Sequence, residues 1–142
     1  MKKTDLSYFA GLFDGEGCIG IRRSNYRKGR YTALCLVCTV GMANLWMLES
    51  LKFAFGGGVY PTKKKQTQHK DLWEWTISSR QALAFLEAVL PYLKLKRAEA
   101  EVAINFQKAK INREHCGRRG LAKGERIIEE AQKIVLQELK RK

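Results

Sequence analysis

Two stretches alternate with period two around charged turns, and together they dictate a sheet. They are "CIGIRRSNYRKGRYTALCLVCTV", residues 18–40, and "VYPTKKKQTQHKDLWEWTIS", residues 59–78. The first turns at Lys28-Gly29, which suits a hairpin. On its return run Thr32, Leu34, Leu36 and Cys38 share one face, and Tyr31, Ala33, Cys35 and Val37 the other. In the second stretch Trp73, Trp75 and Ile77 alternate with Leu72, Glu74 and Thr76. Helical patterns fall between and after these runs: residues 5–15, "ANLWMLESLKFAF", "SRQALAFLEAVLPYLKLK" with a break at Pro91, Ala98 to Lys110, and a charged helix over about 121–141. The order predicts an α+β fold, αββαββα, with a four-stranded antiparallel sheet, helices on one face and extra C-terminal helices. A chain of 142 residues fits one domain, 1–142, with a core over about 5–112.

Such a fold leaves one sheet face uncovered, and the charge of the chain says what that face meets. Lys and Arg number 27 against 14 Asp and Glu, a net charge of +13 that points to a polyanion, nucleic acid first. If the first strand alternates from Arg22, the open face carries Arg22, Ser24 and Tyr26, joined by Tyr31, Glu74 and Thr76. A one-residue slip would exchange the two faces. Arg30 and the lysines Lys63, Lys64, Lys65 and Lys70 lie at the two hairpin tips, placed for phosphate contact. A two-stranded ribbon fits the DNA major groove. The cysteines at 18, 35, 38 and 116 are expected to be reduced. Cys35 and Cys38 point to opposite faces of a strand and pack in the core rather than binding a metal. Without a long apolar run or a signal-peptide pattern, the chain is expected to stay inside the cell, in the cytoplasm or an organelle interior, with no membrane partner.

The first helix has two unlike sides. Thr4 or Asp5 can cap it and Gly17 stop it. Leu6, Phe9, Leu12 and Phe13 give bulk, while Ser7, Gly11 and Gly15 recur every four residues, flanked by Ala10 and Asp14. Each Gly inside a helix costs up to about 1 kcal/mol relative to Ala, so the stripe needs a reason. Either a second helix approaches closely, or the stripe packs on the domain's own sheet. Glu16 stands at the C-terminal end, where the helix dipole disfavours a carboxylate and a bound cation would reverse the penalty. With Gly15's carbonyl, waters and phosphate oxygens it would suit Mg²⁺. Asp14 and Glu16 lie about 200° apart on the wheel, so the metal role belongs to Glu16.

Residues 9–17, FAGLFDGEG, resemble the LAGLIDADG motif of homing endonucleases, and the likeness extends through the strand order into "LPYLKLK". The resemblance implies a single-motif, intron-encoded type acting as a homodimer. Its paired motif helices form the interface, through Ser7, Ala10, Gly11, Asp14 and Gly15, and its sheets make a saddle on double-stranded DNA. It implies cleavage of both strands of a long, near-palindromic site with Mg²⁺, or another divalent cation such as Mn²⁺ or Ca²⁺, leaving short 3′ overhangs. Residue by residue, Glu16 matches the metal-binding acid, Gly15 the carbonyl donor, Gly11 and Gly15 the close-packing positions, and Lys96 a basic residue beside the reacting centre. The sequence departs from the family at the end of the second strand, where members carry a polar side chain and this chain offers Val40 or Gly41. Thr39 or Asn44 would then order the water, or cleavage is weakened. A non-cleaving DNA-binding protein or an RNA-binding intron maturase is the alternative.

Overall fold

The structure, a computed structural model, describes residues 1–142 apart from Arg27, Arg30, 63–70 and 114–122, and leaves aside the side chains of Tyr26 and Tyr31. The expected contacts of Arg30, Lys63, Lys64, Lys65 and Lys70, and of the Tyr26 and Tyr31 side chains, therefore lie outside the described residues.

The elements follow the expected order: α1 (Lys3–Glu16), β1 (Gly17–Tyr26), β2 (Tyr31–Met42), α2 (Leu45–Phe55), β3 (Gly58–Pro61), β4 (Trp73–Ser78), α3 (Ser79–Val89), α4 (Arg97–Asn112) and α5 (Lys123–Arg141). The break at Pro91 is a 3₁₀ turn, Leu90–Tyr92. Helix α1 begins earlier than Thr4 or Asp5 would set it, because Asp5 acts from inside the first turn. Its carboxylate accepts the Lys2 backbone N–H at 3.1 Å. Gly17 ends the helix for want of room rather than for a special φ. Its backbone is extended, and a Cβ there would collide with the ring and carbonyl of Phe13. Asn44 caps α2, accepting from the Met47 N–H at 3.2 Å. Gly56 and Gly57, at φ +79° and +85°, turn the chain from α2 into β3, a conformation that L side chains rarely adopt.

The four strands pair antiparallel in the order β1-β2-β4-β3. Opposed residues share a face, so the register settles the parity. Ile19 opposite Cys38, Ile21 opposite Leu36, Val40 opposite Trp75, and Cys38 opposite Ile77 all face the helices and are buried. Phe85 of α3 centres this core, its ring edge-on to Phe13 at 4.9 Å, Phe55 at 4.8 Å and Trp75 at 5.2 Å. The Trp75 indole N–H donates to the Gly56 carbonyl at 2.9 Å, which ties the sheet to the end of α2. Burial pushes the Cys38 thiol far above its ordinary range, so Cys38 is a core residue with no thiolate at neutral pH.

Helices α4 and α5 extend the helical layer over β1. Glu129 of α5 is 2% exposed and accepts from the Arg113 guanidinium at 2.6 Å. Arg23 of β1 pairs with Glu130, and Leu136 is buried in the same core. No described helix is long and apolar enough to cross a membrane.

Candidate active site

Helix α1 presents different chemistry on its two sides. Phe13 and Ala10 are fully buried, whereas Ser7, Gly11 and Gly15 are exposed. A Cβ built on Gly11 or Gly15 would meet nothing within 4 Å, so neither glycine is explained by packing inside the chain. The stripe faces away from the domain's own sheet. Tyr8, 58% exposed, stands beside it and was not singled out by the spacing of small residues. Ala10 and Asp14 do not belong to the exposed stripe, contrary to the expectation that they contact a partner. Both turn into the chain, because Ala10 stands three residues before the buried Phe13 and Asp14 four after Ala10, which puts all three on one side of the helix.

Asp14 has another task. Its two carboxylate oxygens accept the backbone N–H groups of Lys94 at 2.8 Å and Lys96 at 2.9 Å. The Lys96 ammonium in turn donates to the Asp14 carbonyl. This clamp joins segments 80 residues apart and sets the Lys96 cation at the C-terminal end of α1, two residues from Glu16. A cation there also complements the negative end of the helix dipole. We expect Asp14→Ala to lower unfolding stability by about 3 kcal/mol in urea, since hydrogen bonds to a charged acceptor contribute about 1.5–3 kcal/mol each. An unchanged midpoint would show that the segment 94–96 is held by other contacts.

Glu16 is exposed, and among the described residues no hydrogen bond or ion pair takes up its carboxylate. It fits a hard cation in chemistry: an oxygen donor at a helix end whose last carbonyls, Gly15's included, have few intrahelical partners. Among the described residues no three His, Cys, Asp or Glu side chains gather into a metal cage. Among the described residues the end of α1 therefore offers the Glu16 carboxylate with a backbone carbonyl, an incomplete set that needs oxygens from elsewhere.

The open sheet face starts beside this helix end. Gly17 pairs with Val40, so Glu16 precedes and Gly41 follows that pair. Val40 is fully buried against the helices, which leaves Gly41 as the residue facing outward. Asn44 is committed to capping α2, and Thr39 lies on the open face next to Thr76 at only 4% exposure. Further along, the face carries exposed Arg22 and partly exposed Ser24, Glu74 and Thr76, the side expected from alternation. Tyr60 of β3, opposite Glu74 and 60% exposed, joins them and was missed because β3 has only four residues.

Comparison with known proteins bears on this arrangement. A model of the LAGLIDADG endonuclease family matches residues 9–112. Among solved structures, I-CvuI in complex with the I-CreI target and Mg, its DNA not cleaved, superposes with a TM-score of 0.75 at 19% identity, covering 96% of this chain and 82% of its own. The archaeal intron-encoded homing endonuclease I-Vdi141I, complexed with DNA, gives 0.74 at 15% identity, over 98% and 86%. The I-SmaMI LAGLIDADG homing endonuclease bound to cleaved DNA gives 0.59 at 19% identity, over 89% of this chain but 48% of its own. The search of curated proteins finds no match. At these identities the structural likeness shows the fold.

Proposed function

The chain belongs to the LAGLIDADG endonuclease family, and on that premise we propose that it cleaves double-stranded DNA at a specific site, as a homodimer, with a divalent cation. The observation that carries the reading is the end of α1, where an unpartnered Glu16 carboxylate stands beside a Lys96 cation locked in place by Asp14, at the margin of the open sheet face.

The exposed Ser7, Gly11 and Gly15 stripe supports the homodimer, because only a second helix at close range gives the two glycines a purpose. The length of I-SmaMI, less than half of which this chain covers, agrees with two such units per working assembly. In the dimer the two Glu16 side chains approach each other above the two strands. Glu16 and the Gly15 carbonyl would hold Mg²⁺, Mn²⁺ or Ca²⁺ together with phosphate oxygens. When bound, the cation supplies Lewis-acid polarisation of the phosphate and a more acidic water. Lys96 has three donor hydrogens and uses one on the Asp14 carbonyl, which leaves donors for solvent or for charge developing on the phosphate. Arg22, Ser24, Thr76 and Tyr60 line the face that would follow the groove.

Gly41 favours a second reading. It places no side chain on the open face where a polar group would order the attacking water, so a chain that binds its site without cutting it, as a DNA-binding protein or an RNA-binding maturase, follows from the same fold. Incubating the protein with its own coding locus lacking the insertion, with and without Mg²⁺, separates the two. The proposal expects scission at one position that needs the metal. A tight complex with both strands intact would establish the non-cleaving reading.

A further inference from the structure

Resting on the reading of the open face as a DNA-binding surface, we propose that Glu74 reads a cytosine in each half of the target site. Among the described strand residues of that face Glu74 is the one carboxylate, in a chain of net charge +13. Its surroundings leave it accessible. On β2 it is opposite Gly41, where a Cβ would meet nothing nearer than the Trp73 carbonyl at 3.9 Å. On β3 it is opposite Tyr60, whose hydroxyl lies over Gly58, so that the ring leans along the strand and away from Glu74. The Thr76 hydroxyl donates to Oε1 of Glu74 at 3.4 Å and steadies the side chain. Oε2 meets no donor among the described residues.

An ionised carboxylate only accepts hydrogen bonds, and phosphates repel it. On a surface that follows DNA it gains only over a donor on a base edge. The major groove offers two such donors, the N4 amino group of cytosine and the N6 amino group of adenine. Beside adenine N6 stands the N7 acceptor, which repels the second carboxylate oxygen, so cytosine is the base that fits. One Glu74 per copy then specifies one cytosine in each half-site.

The test is selection of bound duplexes from a random-sequence pool by the wild-type protein, Glu74→Gln and Glu74→Lys. The wild type is expected to prefer cytosine over other bases by about tenfold at one position of each half-site. Glu74→Gln should turn that position alone towards adenine, whose N6 donates to and N7 accepts from a carboxamide, and Glu74→Lys should turn it towards guanine, whose O6 and N7 accept from lysine. An enriched site with the same base profile in all three proteins would overturn the role of Glu74 while leaving the DNA-binding reading standing. A pool in which the wild type enriches nothing would overturn both.

Discussion

Leucine at Gly11 should split the proposed dimer into folded monomers. The space beyond Gly11 is empty within the chain, so the larger side chain disturbs nothing in its own domain. It should raise the intrinsic helix preference of α1 by up to about 1 kcal/mol. Across a twofold axis the same change places two leucines where two backbones meet, and overpacking of this kind costs about 1–3 kcal/mol per site. Dimer dissociation should rise by at least about thirtyfold in sedimentation, with the far-ultraviolet dichroism unchanged. An intact dimer would remove the close-packing account of the stripe. An unfolded variant is not expected, since nothing in the chain lies within 4 Å of a Cβ at Gly11, and its appearance would mean that the stripe packs within the chain after all.

The second large effect belongs to Glu16. Glutamine there keeps the size and hydrogen-bonding reach of the side chain and removes its charge. Because Glu16 is exposed and holds no described partner, the change should leave stability and DNA affinity nearly as they are. Cleavage should fall by about a thousandfold or more, the equivalent of about 4 kcal/mol of lost transition-state stabilisation. Equal loss of binding and cleavage would instead make Glu16 a contact for DNA. Loss of neither would overturn the metal role of Glu16.

The sheet was legible in the sequence because period-two alternation survives any uncertainty about strand ends. Arg22 and Ser24 fall on the open face, and Trp75 and Ile77 on the helix face, as their spacing requires. The stripe was legible too, though not its edges. Small size alone does not say which side of a helix Ala10 and Asp14 take, and only the seating of Phe13 against the core decides it. Val40 and Gly41 could not be told apart until the pairing of Gly17 with Val40 fixed the register. The clamp from Asp14 to Lys94 and Lys96 left no local trace, since it joins residues 80 apart through backbone donors that every residue carries. The same holds for Glu129, which reads as one more charge on a charged helix and is buried against Arg113.

The central claim is that the stripe brings two copies together so that each Glu16 serves one strand. Mixing wild-type and Glu16→Gln chains, purifying the mixed dimer through a tag on each partner and incubating it with Mg²⁺ on supercoiled plasmid carrying the site tests this directly. The account predicts that the mixed dimer nicks one strand and accumulates open circles, while the wild type gives linear product. Linear product from the mixed dimer at the wild-type rate would contradict it.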